Sequence, residues 1–284
     1  MSLLLVPTLV TQPPEGYPTV AKSHPLAQGM AEFYFLGHAQ AWDAYRCSLH
    51  AYTNVGVTDS AAYYGRQKTL SSSSNTNSIQ IAGAAASPPG SYTVLQACRM
   101  TTYAWGTLGF EGLWSLNVAN NSASVIAFAD DGTSNLRLVN ASTAQLLSTN
   151  ANTMFPADGV TWTIGGVDWN SVGQVAAVYY GGQQHVNSVS LTTAPSGTAD
   201  HWYIGTEGSS TRVRPGDYAF LVRWNRILTL SEHQSFWQNP WQVLTPLSRR
   251  IWVSVAASVT GITAIGSSGG FGGGIGTSAA GSAN

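Results

Sequence analysis

Runs of branched and aromatic residues, broken by glycine, proline and small polar residues, make up the pattern of this chain. Such runs fit a pleated, half-buried surface better than a helix. Met30 to Ala39 opens the series, and Tyr92–Met100 (YTVLQACRM) reads as a buried strand. Phe110 to Asn117 reads as another. Val125 to Ala129 and Leu136 to Val139 flank Asp130, Asp131 and Gly132, a turn sequence in which glycine supplies positive φ. Val175–Tyr180 meets Gly181-Gly182 and a second run through Val186, Val189 and Leu191, predicting another hairpin. Asp217 to Arg226 (DYAFLVRWNR) predicts a strand packed on a core. No segment before Thr229 holds a helical period over three turns, so the class is all-β, a sandwich or jelly roll.

One short helix interrupts this near 230–238. Thr229 and Glu232 stand in T-x-x-E spacing, so each can satisfy a backbone N–H of the other. Pro240 stops the helix, because the residue before a proline is pushed out of helical geometry. Residues 1–22 read as an extended arm, since Pro7, Pro13, Pro14 and Pro18 forbid helix and central strand alike. Residues 23–253 form the folded domain. Residues 254–284 form a second arm that ends almost entirely in Gly, Ser, Ala and Thr, as a linker does.

Composition narrows the partners. Charged residues make up 9% of the 284 positions, against roughly 25% in an ordinary soluble domain. Lys22 and Lys68 are the only lysines, and the net charge is −1, so there is no basic field for nucleic acid or an anionic membrane. Little colloidal repulsion remains, which suits a subunit covered in an assembly. Cys47 and Cys98 lack C-x-x-C spacing and read as two buried free thiols rather than a zinc site or a bridge. The N-terminus has no basic residue before Lys22 and fails as a secretory signal. No apolar stretch approaches the ~20 residues that span a bilayer.

Four segments in order carry a resemblance: GVTWTIGGVDWN (159–170), VAAVYYGGQQ (175–184), WYIGTEG (202–208) and GDYAFLVRWNRILTLSEHQSFWQNPWQV (216–243). Together with Arg249-Arg250-Ile251-Trp252-Val253 they resemble the laminin G-like, concanavalin A-like lectin/glucanase domain of tailed-bacteriophage virion proteins. The resemblance covers roughly residues 24–253. It implies a jelly-roll sandwich of two antiparallel sheets and a location in the virion. It leaves the function open, since members bind glycans, bind calcium, hydrolyse glucans or are purely structural.

The residues decide among these. The glucanase branch sets its acids at E-x-D-x-x-E on one strand, and retaining hydrolysis wants two carboxyls about 5–5.5 Å apart. Here Glu15, Glu32, Glu111, Glu207 and Glu232 are all more than six residues apart, so no catalytic residue is assigned. Asp130, Asp131 and Asn135 are candidate calcium ligands, set against a plain hairpin turn, which is the favoured reading. Asp168 reads as a strand-end or turn residue. The six histidines are scattered without metal spacing, and no nucleophile elbow is present.

Glycan contact needs exposed aromatic faces beside amides and hydroxyls. Tyr63, Tyr64, Trp105 and Trp169 sit near turn-like sequence and are the candidates, while Trp114, Trp162 and Trp224 read as core. Trp237 and Trp241 read as staples that fix the short helix to a sheet. Arg249, Arg250, Phe271 and Ile275 are candidate assembly contacts. The expectation is a non-enzymatic virion protein, foremost a capsid decoration (cement) protein held by its arms to neighbouring virion proteins. It needs no cofactor, and a homotrimer suits it. The alternative is a tail- or fibre-associated module that holds host-surface polysaccharide.

Overall fold

The computed structural model describes residues 17–37, 40–55, 57–62, 65–70, 78–83, 90–102, 112–117, 126–130, 132–133, 135–140, 143–190, 199–206 and 213–245. In chain order the strands are β1 (Met30–Phe35), β2 (Ala41–Asp43), β3 (Ser48–His50), β4 (Tyr52–Val55), β5 (Val57–Ala62) and β6 (Gly65–Leu70). They continue with β7 (Ser78–Ala82), β8 (Tyr92–Met100), β9 (Gly112–Asn117), β10 (Ile126–Asp130), β11 (Asn135–Asn140) and β12 (Thr143–Asn150). The last are β13 (Thr163–Asn170), β14 (Val175–Tyr180), β15 (Gln183–Ser190), β16 (His201–Ile204) and β17 (Gly216–Trp224). The helices are a single turn, α1 (Ala151–Met154), and α2 (Leu230–Gln238), with 3-10 turns at Pro25–Ala27 and Pro240–Val243.

Pairing is antiparallel throughout the named strands and builds two sheets. The first runs β15-β14-β13-β8-β17-β1-β2-β3, with β6 also on β17 and β5 on β6. The second runs β12-β11-β10-β9-β16-β7-β4. This is the all-β sandwich expected from the strand pattern.

Alternate side chains divide the first sheet into two faces. One face (Tyr34, Val94, Cys98, Val167, Trp169, Leu221) packs on Trp114, Phe128 and Trp202 of the second sheet. The other (Phe33, Phe35, Leu95, Phe220, Val222, Trp224) packs under α2, the following 3-10 turn and the chain entering β1. Covered on both faces, β17 is buried at all nine positions. That is why its sequence reads as a nearly continuous apolar run. A bulge between Met30 and Glu32 inserts one residue into β1. Met30 therefore packs outward with Phe33, whereas Glu32 and Tyr34 turn toward the second sheet.

The N-terminal chain joins this structure before residue 23. The Val20 N–H donates to Ala44 O at 2.9 Å, Ala21 N–H to Val243 O at 2.8 Å and Thr245 N–H to Thr19 O at 2.7 Å. The rest of the predicted arms, residues 1–16 and 254–284, lies outside the described residues.

Candidate binding surface

Strand-borne carboxylates are the natural place to look for chemistry, and among the described residues four lie buried in the sandwich. Glu32 is fully buried and accepts from Trp202 Nε1 at 2.9 Å, Tyr34 Oη at 3.1 Å and Arg46 Nη2 at 3.0 Å, with Arg223 Nε at 3.4 Å. Because Trp202 belongs to β16, this carboxylate ties the two sheets together. Burial, and then the Glu32 charge, push the Tyr34 phenol far above its ordinary range. Asp43 accepts from the backbone N–H groups of Phe33 (3.1 Å), Tyr45 (2.9 Å) and Arg46 (3.2 Å) and pairs with the Arg46 guanidinium. Asp217 accepts from Arg99 Nε at 2.8 Å and from Thr69 Oγ1 at 2.5 Å, and Arg99 lies 5.4 Å over the half-buried Trp162 ring.

The fourth carboxylate is Asp168, and the structure corrects its reading as a strand-end or turn residue. It stands inside β13, buried, because the strand continues to Asn170. Thr93 Oγ1 donates to its Oδ1 at 2.5 Å, and His233 Nε2 lies 3.1 Å from its Oδ2. The His233 ring stacks on Tyr179, with centroids 3.6 Å apart and planes 4° from parallel. Burial raises the Asp168 carboxyl above the usual carboxylate range, against the opposing pull of His233. Burial and the Asp168 charge push Tyr179 up to about 12. Local sequence gives no sign of this cluster, since 65 residues separate Asp168 from His233.

The cluster is the seat of α2. Above it, the helix start is a complete capping box between Thr229 and Glu232. Arg226 holds Glu232 through two bonds (2.9 and 2.7 Å) and reaches Gln28 O at 2.7 Å. That pair, with the Thr229 bonds, depresses the Glu232 carboxyl to about 2. Phe236 enters an aromatic nest of Trp224, Phe220 and Phe33 at centroid distances of 5.2, 6.1 and 6.2 Å. At the far end Asn239 caps the 3-10 turn, and Gln242 Nε2 donates to Ser235 O and Asn239 O at 2.6 and 2.9 Å. The Trp-Asn-Arg and Asn-Pro-Trp-Gln segments behind the family resemblance thus contribute to seating this helix.

The outward side of α2 is different in character. Trp241 is a staple as expected, buried against Phe35 and Phe220. Trp237 is not, because one helical turn points it away from the sheet and leaves it 46% exposed. Gln234 and Gln238 beside it are exposed, and Leu230 is 50% exposed. The Gly181-Gly182 turn comes up against this surface. Both glycines have positive φ (58° and 72°), and a Cβ on Gly182 would lie 3.0 Å from Gln234 Cα and 3.2 Å from Trp237 Cβ. Glycine is needed there for φ and for close approach.

Other sequence candidates fall elsewhere. Trp169 is fully buried in the core between the sheets and offers no ring face to a ligand, because its position in β13 points inward. Tyr63, Tyr64 and Trp105 lie outside the described residues, as do Asp131, Arg249, Arg250, Phe271 and Ile275. Asp130 ends β10, and Asn135 Nδ2 bonds Thr133 Oγ1 at 3.1 Å within the hairpin loop. Among the described residues no cluster of three His, Cys, Asp or Glu side chains is placed to hold a metal. Cys98 is buried, but Cys47 is exposed in the turn between β2 and β3, and neither is bridged.

No known family profile matches the chain, and no curated protein sequence does. Solved structures do. The binding domain of Paraclostridial mosquitocidal protein 1 superposes with a TM-score of 0.56 at 13% identity over 75% of this chain and 52% of its own. The receptor-binding domain of botulinum neurotoxin type G gives 0.55 at 10%, over 74% and 51%. Trypanosoma rangeli sialidase with a bound difluoro-sugar gives 0.51 at 16%, over 83% and 36%. The shared fold is a jelly-roll β-sandwich of two antiparallel sheets. The chain spans about half the toxin domains and about a third of the sialidase, and identities this low speak for fold alone. None of these three is a bacteriophage protein.

Proposed function

We propose that this chain is a non-enzymatic binding module of lectin type, part of a bacteriophage virion, that holds host-surface polysaccharide. One observation carries the reading: Glu32, Asp43, Asp168 and Asp217 are each already engaged by a basic or imidazole side chain inside the scaffold. Glycoside hydrolysis asks for two carboxyls facing one sugar, one of them able to deliver a proton. Here Glu32 and Asp43 share Arg46, Asp168 is held by Thr93 and His233, and Asp217 by Thr69 and Arg99, so each acid stiffens the sandwich. Rigidity of this sort suits recognition, since a pre-formed surface loses little entropy on binding. The binding-domain neighbours support the same direction by fold, and the virion setting rests on the resemblance of the segments around α2.

The test is an array of bacterial surface polysaccharides probed with the full chain, together with an assay for released reducing ends. Saturable binding without release is the expected result. An array blank across all sugars defeats the reading, and turnover of a bound sugar defeats its non-enzymatic half.

A second reading, capsid decoration by a homo-oligomer held through its arms, is favoured by the sparse charge of the chain, 9% of residues. Deleting residues 254–284 is then expected to block incorporation into particles. Normal incorporation would reject anchoring by that arm.

A further inference from the structure

We infer that the outward face of α2, centred on Trp237, is the sugar-binding site, and that its ligand is an uncharged pyranose chain. This rests on the lectin reading above and adds the place and the ligand class.

The argument starts from what is exposed. Trp114, Trp169, Trp202, Trp224 and Trp241 are buried, and Trp42 and Trp162 half-buried. Trp237 is the one exposed tryptophan among the described residues. Tyr17, also exposed, leans on Trp42 with its centroid 5.1 Å away. A solvent-facing indole offers a flat, rigid apolar face that a ligand can cover.

The neighbours of Trp237 say what that is. Leu230, Gln234, Trp237 and Gln238 stand at i, i+4, i+7 and i+8, so they form one stripe along the helix. At 1.5 Å per residue the stripe is about 12 Å long, room for two linked sugar rings. Gln184 lies alongside. It pairs with Tyr179 in the β14–β15 register, and Tyr179 faces α2 through His233, so Gln184 is on the helix side of the sheet. Its neighbour Gln183 pairs with Tyr180, which packs toward the core, and so faces away.

An apolar ring for the C–H face of a sugar, flanked by carboxamides that both donate and accept, matches a polyhydroxylated ring. Charge is missing from the stripe. Glu232 is spent on Arg226, His233 is buried, and the exposed His185 on β15 bonds the Tyr180 carbonyl. A carboxylated sugar would find no guanidinium or ammonium among these residues.

The experiment titrates the full chain with malto-, cello- and laminari-oligosaccharides, and with sialyllactose and oligogalacturonate, following tryptophan fluorescence and calorimetry. The expected result is saturable binding of a neutral series only. Trp237→Ala should weaken it about tenfold or more, and Gln234→Ala severalfold, with unchanged thermal unfolding. Neutral-sugar binding that survives Trp237→Ala overturns the site but leaves the lectin reading intact. Preference for the acidic sugars overturns the ligand class. Wild-type protein blank in every titration and on the surface-polysaccharide array overturns both. Loss of self-association in Trp237→Ala, with sugar binding retained, reassigns the stripe to a contact between copies and also overturns the site.

Discussion

At the scale of single residues, environment sets reactivity. Cys98 is buried, and burial pushes its thiol well above the ordinary range, whereas Cys47 is exposed. A thiol reagent is expected to modify Cys47 in the native protein and Cys98 only after denaturant is added, read by mass spectrometry. Glu232 offers a pH readout. Its native carboxyl sits near 2 against an ordinary 4.5, first through the Arg226 bonds and also through the Thr229 cap. A depressed carboxylate lends stability that is full above its unfolded pKa and lost as pH falls toward the folded one. The contribution should therefore disappear between about 4.5 and about 2. Glu232→Gln is expected to cost about 1–2 kcal/mol at neutral pH, and to flatten the unfolding midpoint across that acid window. An unaltered acid limb would show that the pair does not hold the helix.

At the scale of elements, α2 is the instructive case. Its start was legible from the chain because a capping box spans only four residues, Thr229 to Glu232, and its end because Pro240 enforces one. Its orientation was not. Which of Trp237 and Trp241 faces the sheet depends on the rotation of the helix, and that is settled by Phe236 dropping among Phe33, Phe220 and Trp224. Phe236→Ala should cost about 3–5 kcal/mol in denaturant unfolding, far more than Trp237→Ala at its exposed site. Equal costs for the two would contradict this seating. The same distinction explains Trp169, which reads as a loop aromatic beside Asn170 yet belongs to the strand before it.

At the scale of the whole molecule, the two sheets are joined by apolar packing and by polar links, among them the bond from Trp202 on β16 to Glu32 on β1 and the contact of His50 on β3 with the Ala82 carbonyl on β7. Removing that carboxylate takes the Glu32 anion away from Arg223, only 1% exposed, and from Arg46. Glu32→Ala is accordingly expected to lose about 3–5 kcal/mol, a large part of an ordinary domain's stability. A variant as stable as the parent would show that the Glu32 link is dispensable. The bulge that turns Glu32 inward cannot be seen in the sequence, where Met30, Glu32 and Tyr34 look like one face of one strand.

Local rules were sufficient for the all-β class, the turns and the single capped helix, because each depends on residues a few positions apart. The pairing of Asp168 with His233, the inward turn of Glu32 and the exposure of Trp237 depend on strands and a helix distant along the chain arriving at one place. Burial is decided by what packs above a residue, and only the folded sandwich supplies that.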